Sequence, residues 1–176
     1  MACLLTSGRT EPCKDAIGGL KAIYFYDFLE DAFTVANSEA TVMNASLTTA
    51  YKYDLLADGN NLEEVGTSDQ NTGTYTVLQT ATFSLKKQDK DTANEINLLS
   101  KARPGAVVQD RLGNYKVIGL SDGLVISGTA ASGGEKASFN GYNLTAIATE
   151  AEFAPTLDSA TETAFLAIVS GTQINP

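Results

Sequence analysis

The residue types that most often perform catalysis or bind metals are scarce in this chain. It contains no histidine, so it lacks the usual near-neutral base and the usual partner of a serine or cysteine nucleophile. Its two cysteines cannot complete a zinc site alone, because such sites usually take four nitrogen or sulfur ligands. Carboxylate or lysine chemistry stays open, but no pair of these residues stands out. We therefore predict no catalytic, cofactor-binding or metal-binding residues, and we predict that the chain is not an enzyme.

The two cysteines, Cys3 and Cys13, lie ten residues apart near the start of the chain. A disulfide between them fits this spacing, but it is not expected in a reducing cytosol. We favour the alternative that both are small side chains, buried where the N-terminal segment docks.

One glycine-rich segment and three acidic clusters are the other candidates for ligand binding. Residues 128–136 space Gly128 and Gly133 as a phosphate-binding loop would, but Gly134 stands where that motif requires lysine. We interpret the segment as a hairpin loop. The acidic clusters lack the alternating-oxygen spacing of a calcium-binding loop, so we interpret them as solvated surface charge. They are Glu30-Asp31, Glu63-Glu64 and Glu150-x-Glu152.

Composition and charge indicate one globular domain that does not recognise nucleic acid. Hydrophobic residues make up 43% of the 176 residues, enough for a core, and no apolar stretch approaches the ~20 residues that cross a bilayer. The net charge is −9, and residues 121–176 carry Lys136 as their only cation, whereas nucleic-acid-binding proteins present basic patches. The first nine residues lack the apolar run of a secretory signal. We therefore expect folding in a cytoplasm and no membrane partner.

Residues 1–19 are predicted to be an extended N-terminal arm, and residues 20–176 a single β-rich domain. Aromatic and β-branched side chains dominate residues 20–26, which predicts a strand that is covered on both faces. The aromatic side chains of this strand and of residues 50–56 are interpreted as strand core rather than as a base-stacking platform, namely Tyr24, Phe25, Tyr26, Tyr51 and Tyr53. Weaker strands are predicted at residues 33–35, 40–44 and 50–56. A polar surface loop is predicted at residues 63–73.

The clearest element covers residues 74–87. Apolar side chains occupy every second position for about a dozen residues, and Gln79 is the one interruption of that face. At ~3.3 Å per residue this strand would be roughly 40 Å long, whereas strands of five or six residues are usual. So long a strand overhangs a small sandwich, and it favours a sheet that is shared between subunits.

The second half predicts a helix followed by hairpins. Thr92 and Glu95 fit a capping box, which predicts an amphipathic helix over 92–103 that ends at Pro104-Gly105. Turn sequences around 113–114 and 121–123 predict hairpins beyond it. Residues 164–170 predict a last strand, with a helix over 158–169 as the alternative. The predicted fold is mainly β, an antiparallel sandwich or barrel with one flanking α-helix.

Three segments resemble a group of small structural proteins of tailed bacteriophages. The segments are residues 107–119 with Gly123-Leu124, residues 140–145, and the opening Cys3, Gly8, Cys13-Lys14-Asp15 and Gly18-Gly19. The order of elements also resembles the tail-tube fold of phages and related contractile injection systems. In that family, long hairpins join neighbouring subunits into a continuous inner β-barrel.

The resemblance implies a role for each main element. Residues 74–87 would belong to the barrel hairpin, with 50–56 as the best partner strand, and 92–103 would be the flanking helix. The N-terminal arm and the 58–73 loop would contact stacked rings. The expected function is a tail-tube subunit of the virion, made in the bacterial host cytoplasm. It would form hexameric rings or tubes, contact other virion proteins, and enclose a channel through which DNA passes without specific binding.

Three other functions stay open at this point. Another virion role, as a capsid decoration, neck ring or tail terminator protein, suits the same β-rich pattern. An enzyme or ligand-binding domain would require a deep pocket with converging polar groups. A bacterial adhesin or surface-fibre module is disfavoured by the missing secretion signal.

Overall fold

The computed structural model describes residues 7–11, 13–55, 58–169 and 174, and these contain eleven strands and two helices. The predicted mainly β class is confirmed, and the two sheets do not form a closed barrel. The N-terminal stretches 7–11 and 13–19 contain no helix or strand. Cys13 is exposed, so the expectation that it is buried is wrong, while Cys3 lies outside the described residues.

The larger sheet has seven strands, and all its pairs are antiparallel except that of β3 with β11. Its strand order is β2-β3-β11-β8-β7-β1-β4. The bounds are β1 Leu20–Tyr26, β2 Phe33–Ala36, β3 Glu39–Met43, β4 Tyr51–Asp54, β7 Gly105–Asp110, β8 Tyr115–Ile118 and β11 Thr156–Leu157.

The smaller sheet has four strands and is antiparallel throughout, in the order β5-β6-β10-β9. Its strands are β5 Asn61–Asp69, β6 Thr74–Lys86, β9 Val125–Ala131 and β10 Gly141–Glu150, and the two helices are α1 Lys90–Lys101 and α2 Ser159–Ala167. The long strand that alternation predicted at 74–87 is therefore present as the thirteen-residue β6.

The two sheets pack face to face, and α2 covers the far side of the larger one. Phe25 of β1 contacts Phe83 of β6 across the first layer, with their ring centroids 5.9 Å apart. Tyr24, the neighbour of Phe25 on β1, points to the opposite side and meets Phe165 of α2 in an edge-to-face contact at 5.7 Å. Because successive strand residues face opposite sides, a strand buried on both sides reads as a nearly continuous apolar run. This confirms the prediction for residues 20–26.

The predicted loop at 63–73 is wrong, because most of it belongs to β5. β5 pairs with β6 from Asp69 opposite Thr74 to Asn61 opposite Thr82, which leaves residues 70–73 as the turn. The expected pairing of 50–56 with the long strand is also wrong, since β4 pairs with β1. A polar segment with weak strand propensity becomes a strand here because β6 presents a row of backbone donors and acceptors for it.

Helix α1 begins two residues before the predicted start, and Asp89 rather than Thr92 is its N-cap. The Asp89 carboxylate accepts hydrogen bonds from the backbone N–H groups of Asp91 and Thr92, both at 2.9 Å, and from the Thr92 hydroxyl. These bonds, led by the one from the hydroxyl, lower the pKa of Asp89. A charged carboxylate also gains from the helix dipole, so Asp89 caps the helix and Thr92 lies in its first turn.

The prediction of a last strand at 164–170 is wrong, and the alternative of a helix there is correct. Residues 159–167 form α2, so the fold has two helices where one was expected. The carboxylate of the N-cap Asp158 accepts the N–H of Thr161 at 2.6 Å, and Phe165 is fully buried against the larger sheet. An apolar run of this length fits a strand or a helix equally well, and here the cap and the sheet surface select the helix.

We predict that Gly105→Ala destabilises the fold. Gly105 is the cross-strand partner of Tyr26, and a Cβ at this position would overlap the Tyr26 ring. Because Tyr26 is buried and cannot move freely, the free energy of unfolding should fall by about 1–3 kcal/mol, measured by urea denaturation. Gly134→Ala is the matched control, since a Cβ at Gly134 meets nothing within 4 Å. Equal stability of the two variants would contradict the prediction.

Candidate assembly surface

The hairpin of β5 and β6 extends beyond the packed core of the domain. Val77 is the first buried residue on β6, and every residue from 65 to 76 is exposed. The turn at the tip is held by the Asp69 carboxylate, which accepts the N–H of Asn71 at 2.8 Å. The outer half of this hairpin therefore has strand pairing but little side-chain cover, chiefly the rings of Tyr75 and Phe153 beside Gly66. We call residues 65–76 the overhang.

Three polar side chains on the inner face of the smaller sheet bind it to the opposite side of the sandwich, and we call them the polar seam. Gln79 of β6 is only 1% exposed, and its side-chain oxygen accepts the N–H of Gly119 at 3.1 Å. Glu64, its neighbour on β5, accepts the N–H of Ala154 at 2.6 Å and lies 3.4 Å from the Lys116 ammonium group. The polar seam thus anchors the base of the overhang.

The third member of the polar seam is Glu150, at the end of β10. Its carboxylate accepts the N–H of Ser121 at 3.0 Å and also the Ser121 hydroxyl. Burial, with a smaller effect from the nearby Glu150 carboxylate, raises the pKa of Tyr26. Tyr26 is therefore a neutral core side chain at every physiological pH. These polar groups form structural hydrogen bonds rather than a reactive cluster.

Two strands of the smaller sheet have an unpaired edge. Among the described residues, β5 pairs only with β6, and β9 pairs only with β10. The two edge strands run in opposite directions, because three antiparallel pairings separate them. β9 contains neither charge nor proline, the residues that commonly protect a sheet edge from pairing with another chain. The sheet therefore offers two complementary edges for pairing.

The ends of the four strands are displaced stepwise along the sheet. Asp69 of β5 is opposite Thr74 at the start of β6, whereas Glu150 at the end of β10 is opposite Val77. Val125, the first residue of β9, is opposite Ile147, which itself is opposite Thr80. The strand ends near the overhang are therefore displaced by six residues across the sheet, from the level of Thr74 at β5 to the level of Thr80 at β9. Such a stagger is the geometric requirement for curling a sheet into a barrel.

The outer face of the smaller sheet has no layer packed on it among the described residues. Every second residue of these strands points into the core, and the residues between them point to this outer face. The outer-face residues are largely threonine and serine. Glu63 and Lys86 are the charged side chains at its β5 and β6 positions within the domain, and Asp69 lies at the tip of the overhang. Four aliphatic residues also lie on it: Val65, Leu78, Val125 and Ile147.

The other candidates from the sequence do not converge on a site. Gly128 lies within β9, Glu64 and Glu150 belong to the polar seam, and Glu30 and Asp31 are exposed turn residues. No group of three or more potential metal ligands occurs in the described part of the chain. A groove of about 240 Å³ between α1 and β9 is lined mainly by small and apolar groups, including Ala93 and Ala130.

Over the residues with described coordinates, neither helix has the length and apolarity that crossing a membrane requires. Comparison with known proteins finds no matching family model, no matching curated protein and no matching solved structure.

We predict that Gln79→Met destabilises the fold even though the volumes of the two side chains are similar. The change leaves the Gly119 N–H without its acceptor in a buried position, which costs about 1–3 kcal/mol. Thr76→Val on the exposed overhang is the control, and it should change the free energy of unfolding by less than about 0.5 kcal/mol. Urea denaturation of both variants checks this, and an unchanged Gln79→Met midpoint would refute it.

Proposed function

We propose that this chain is a structural subunit of a phage tail tube, and that it assembles into rings stacked around a channel in the virion. The observation that carries the proposal is the smaller sheet, with two unpaired edges of opposite direction and a cumulative stagger. The resemblance of the element order to the tail-tube fold supports the same function.

The direction of the edges suits a ring of identical copies. In a sheet with an even number of antiparallel strands, the first and last strands run in opposite directions. Copies related by rotation would therefore place β5 of one beside β9 of the next in antiparallel orientation, and every junction would be the same. Closing such a ring satisfies the backbone groups of both edges and leaves no edge exposed to uncontrolled pairing.

The two faces of the smaller sheet suit an inner and an outer side. The larger sheet and both helices lie on the buried side of the smaller sheet. In a ring they would form the outer wall. The exposed face would then line the channel with threonine and serine hydroxyls, with the carboxylates of Glu63 and Asp69, and with the cationic Lys86. Hydroxyl groups are solvated without strong charge, and carboxylates repel phosphate, so DNA would slide past without being held.

The overhang suits contacts between stacked rings. Residues 65–76 project past the packed core by several residues, so they would reach beyond the plane of their own ring. The part of the overhang beyond Thr67, with its polar side chains and the turn at 70–73, would then meet the adjacent ring. This retains the expected role of the 58–73 region, with a paired hairpin in place of a loop.

The decisive experiment is electron microscopy of the purified protein combined with analytical ultracentrifugation. Rings or tubes are the expected result for a tube subunit. Discrete trimers that bind capsids would instead support a decoration protein. A monomer at high concentration with no ring or tube would contradict the proposal.

We predict that adding negative charge to β9 prevents ring formation. Ser127→Glu with Thr129→Glu places two carboxylates on exposed positions that would face β5 of the next copy, which carries Glu63. Like charges in opposed strand positions destabilise pairing, so assembly should shift to much higher protein concentration. The control, Asn94→Glu with Leu98→Glu, adds the same charge to exposed positions of α1 that do not line its groove with β9, and it should assemble normally. Normal assembly of the β9 variant would count against pairing through this edge.

A further inference from the structure

Four aliphatic side chains form a diagonal band across the exposed face of the smaller sheet. Val65 of β5 is directly opposite Leu78 of β6, and Ile147 of β10 is directly opposite Val125 of β9. They are 47%, 43%, 37% and 62% exposed, respectively, although the surrounding positions on this face are mainly threonine and serine. Aliphatic groups so exposed on a polar face indicate a contact surface.

The band runs from one free edge of the sheet to the other. Val65 lies on the edge strand β5, and Val125 lies on the edge strand β9. Ile147 is opposite Thr80, which lies two residues along β6 from Leu78. The midpoint of the Ile147–Val125 pair is therefore displaced from the midpoint of the Val65–Leu78 pair by two residues along the strands and by two strand spacings across the sheet. Two residues are about 6.6 Å and two strand spacings about 9.6 Å, so a level band corresponds to a strand tilt of about 35°. Closed barrels have tilts in this range.

We infer that the partner of this band is a second copy of the chain, and that the band sets the register in which β9 of one copy pairs with β5 of the next. The inference rests on the proposed function. Continuing the two-residue step across the junction places Ser127 opposite Val65 of the next copy, and Val125 opposite its Thr67. Val125 and the next Val65 are then diagonal neighbours on one face, and the band becomes a continuous aliphatic ring.

This register also lets every residue of β9 pair. With Ser127 opposite Val65, all seven residues of β9 pair with residues 61–67 of the next copy. A register with Val125 directly opposite Val65 would leave the last two residues of β9 unpaired, because β5 begins at Asn61. A register with Val125 opposite Asp69 would also pair all seven residues, and the aliphatic contact between Val125 and Val65 selects against it.

The test is site-directed cross-linking of the assembled protein. Val65→Cys and Ser127→Cys are combined in a chain whose native Cys3 and Cys13 are replaced by serine, and the assembly is oxidised or treated with a short bismaleimide. We expect a ladder of covalent oligomers on a denaturing gel, because each copy links to a neighbour on both sides. Either substitution alone should give no more cross-linked oligomer than the cysteine-free parent.

A matched pair distinguishes failure of the register from failure of the proposed function. Val65→Cys with Thr129→Cys shifts the second thiol by two residues on the same face, and it should cross-link much less than the first pair. Rings in which this second pair links more efficiently would overturn the register but leave the proposed function. A cysteine-free parent that stays monomeric by microscopy and ultracentrifugation would overturn both.

Discussion

The packing of the inner face of β6 against the larger sheet is the interaction on which the rest of the structure depends. Val77, Ala81 and Phe83 are all almost fully buried, and burial of a large apolar side chain contributes roughly 1.5–3 kcal/mol. A shift of one residue would turn this whole set outward, so the packing determines the orientation of the strand. It thereby determines which face of the smaller sheet is exposed and where the overhang begins.

The polar seam adds specificity to that packing. A buried amide or carboxylate is tolerated only where it has hydrogen-bond partners, and Gln79, Glu64 and Glu150 find theirs on backbone N–H groups of the opposite side. An alignment that moved any of them would leave a buried polar group unpaired. In the described residues no buried side-chain polar atom lacks a partner. The sandwich is therefore held in one alignment, which a repeating assembly requires of each subunit.

The surfaces that the proposed assembly would use differ from the parts of the molecule that stabilise the fold. The larger sheet is covered on both sides, by the smaller sheet and by α2, and it supplies most of the buried aromatic side chains. The smaller sheet is covered on one side, and its outer face, its two edges and the overhang stay accessible. Substitutions at the exposed outer-face positions of β9 and of the overhang are thus expected to act on association with little effect on folding.

Elements whose conformation depends on residues close to them in the sequence were predictable from the sequence. Alternation identified β6, and the apolar run of residues 20–26 identified β1 as a doubly covered strand, because side-chain periodicity is a local property. The approximate position of α1 followed from its amphipathic pattern, although the competition between Asp89 and Thr92 for the N-cap was decided by carboxylate geometry.

The features that bear on function depend on tertiary structure. β5 is polar and contains Gly66, so its strand conformation comes from pairing with β6 rather than from its own propensity. Gln79 looked like an interruption of an apolar face, and it is a buried anchor only because Gly119, 40 residues away, presents an N–H to it. The sequence alone determined that a long strand exists. Pairing between distant segments decided which edges and which face that strand leaves open, because strand order and register are set by contacts that no local pattern contains.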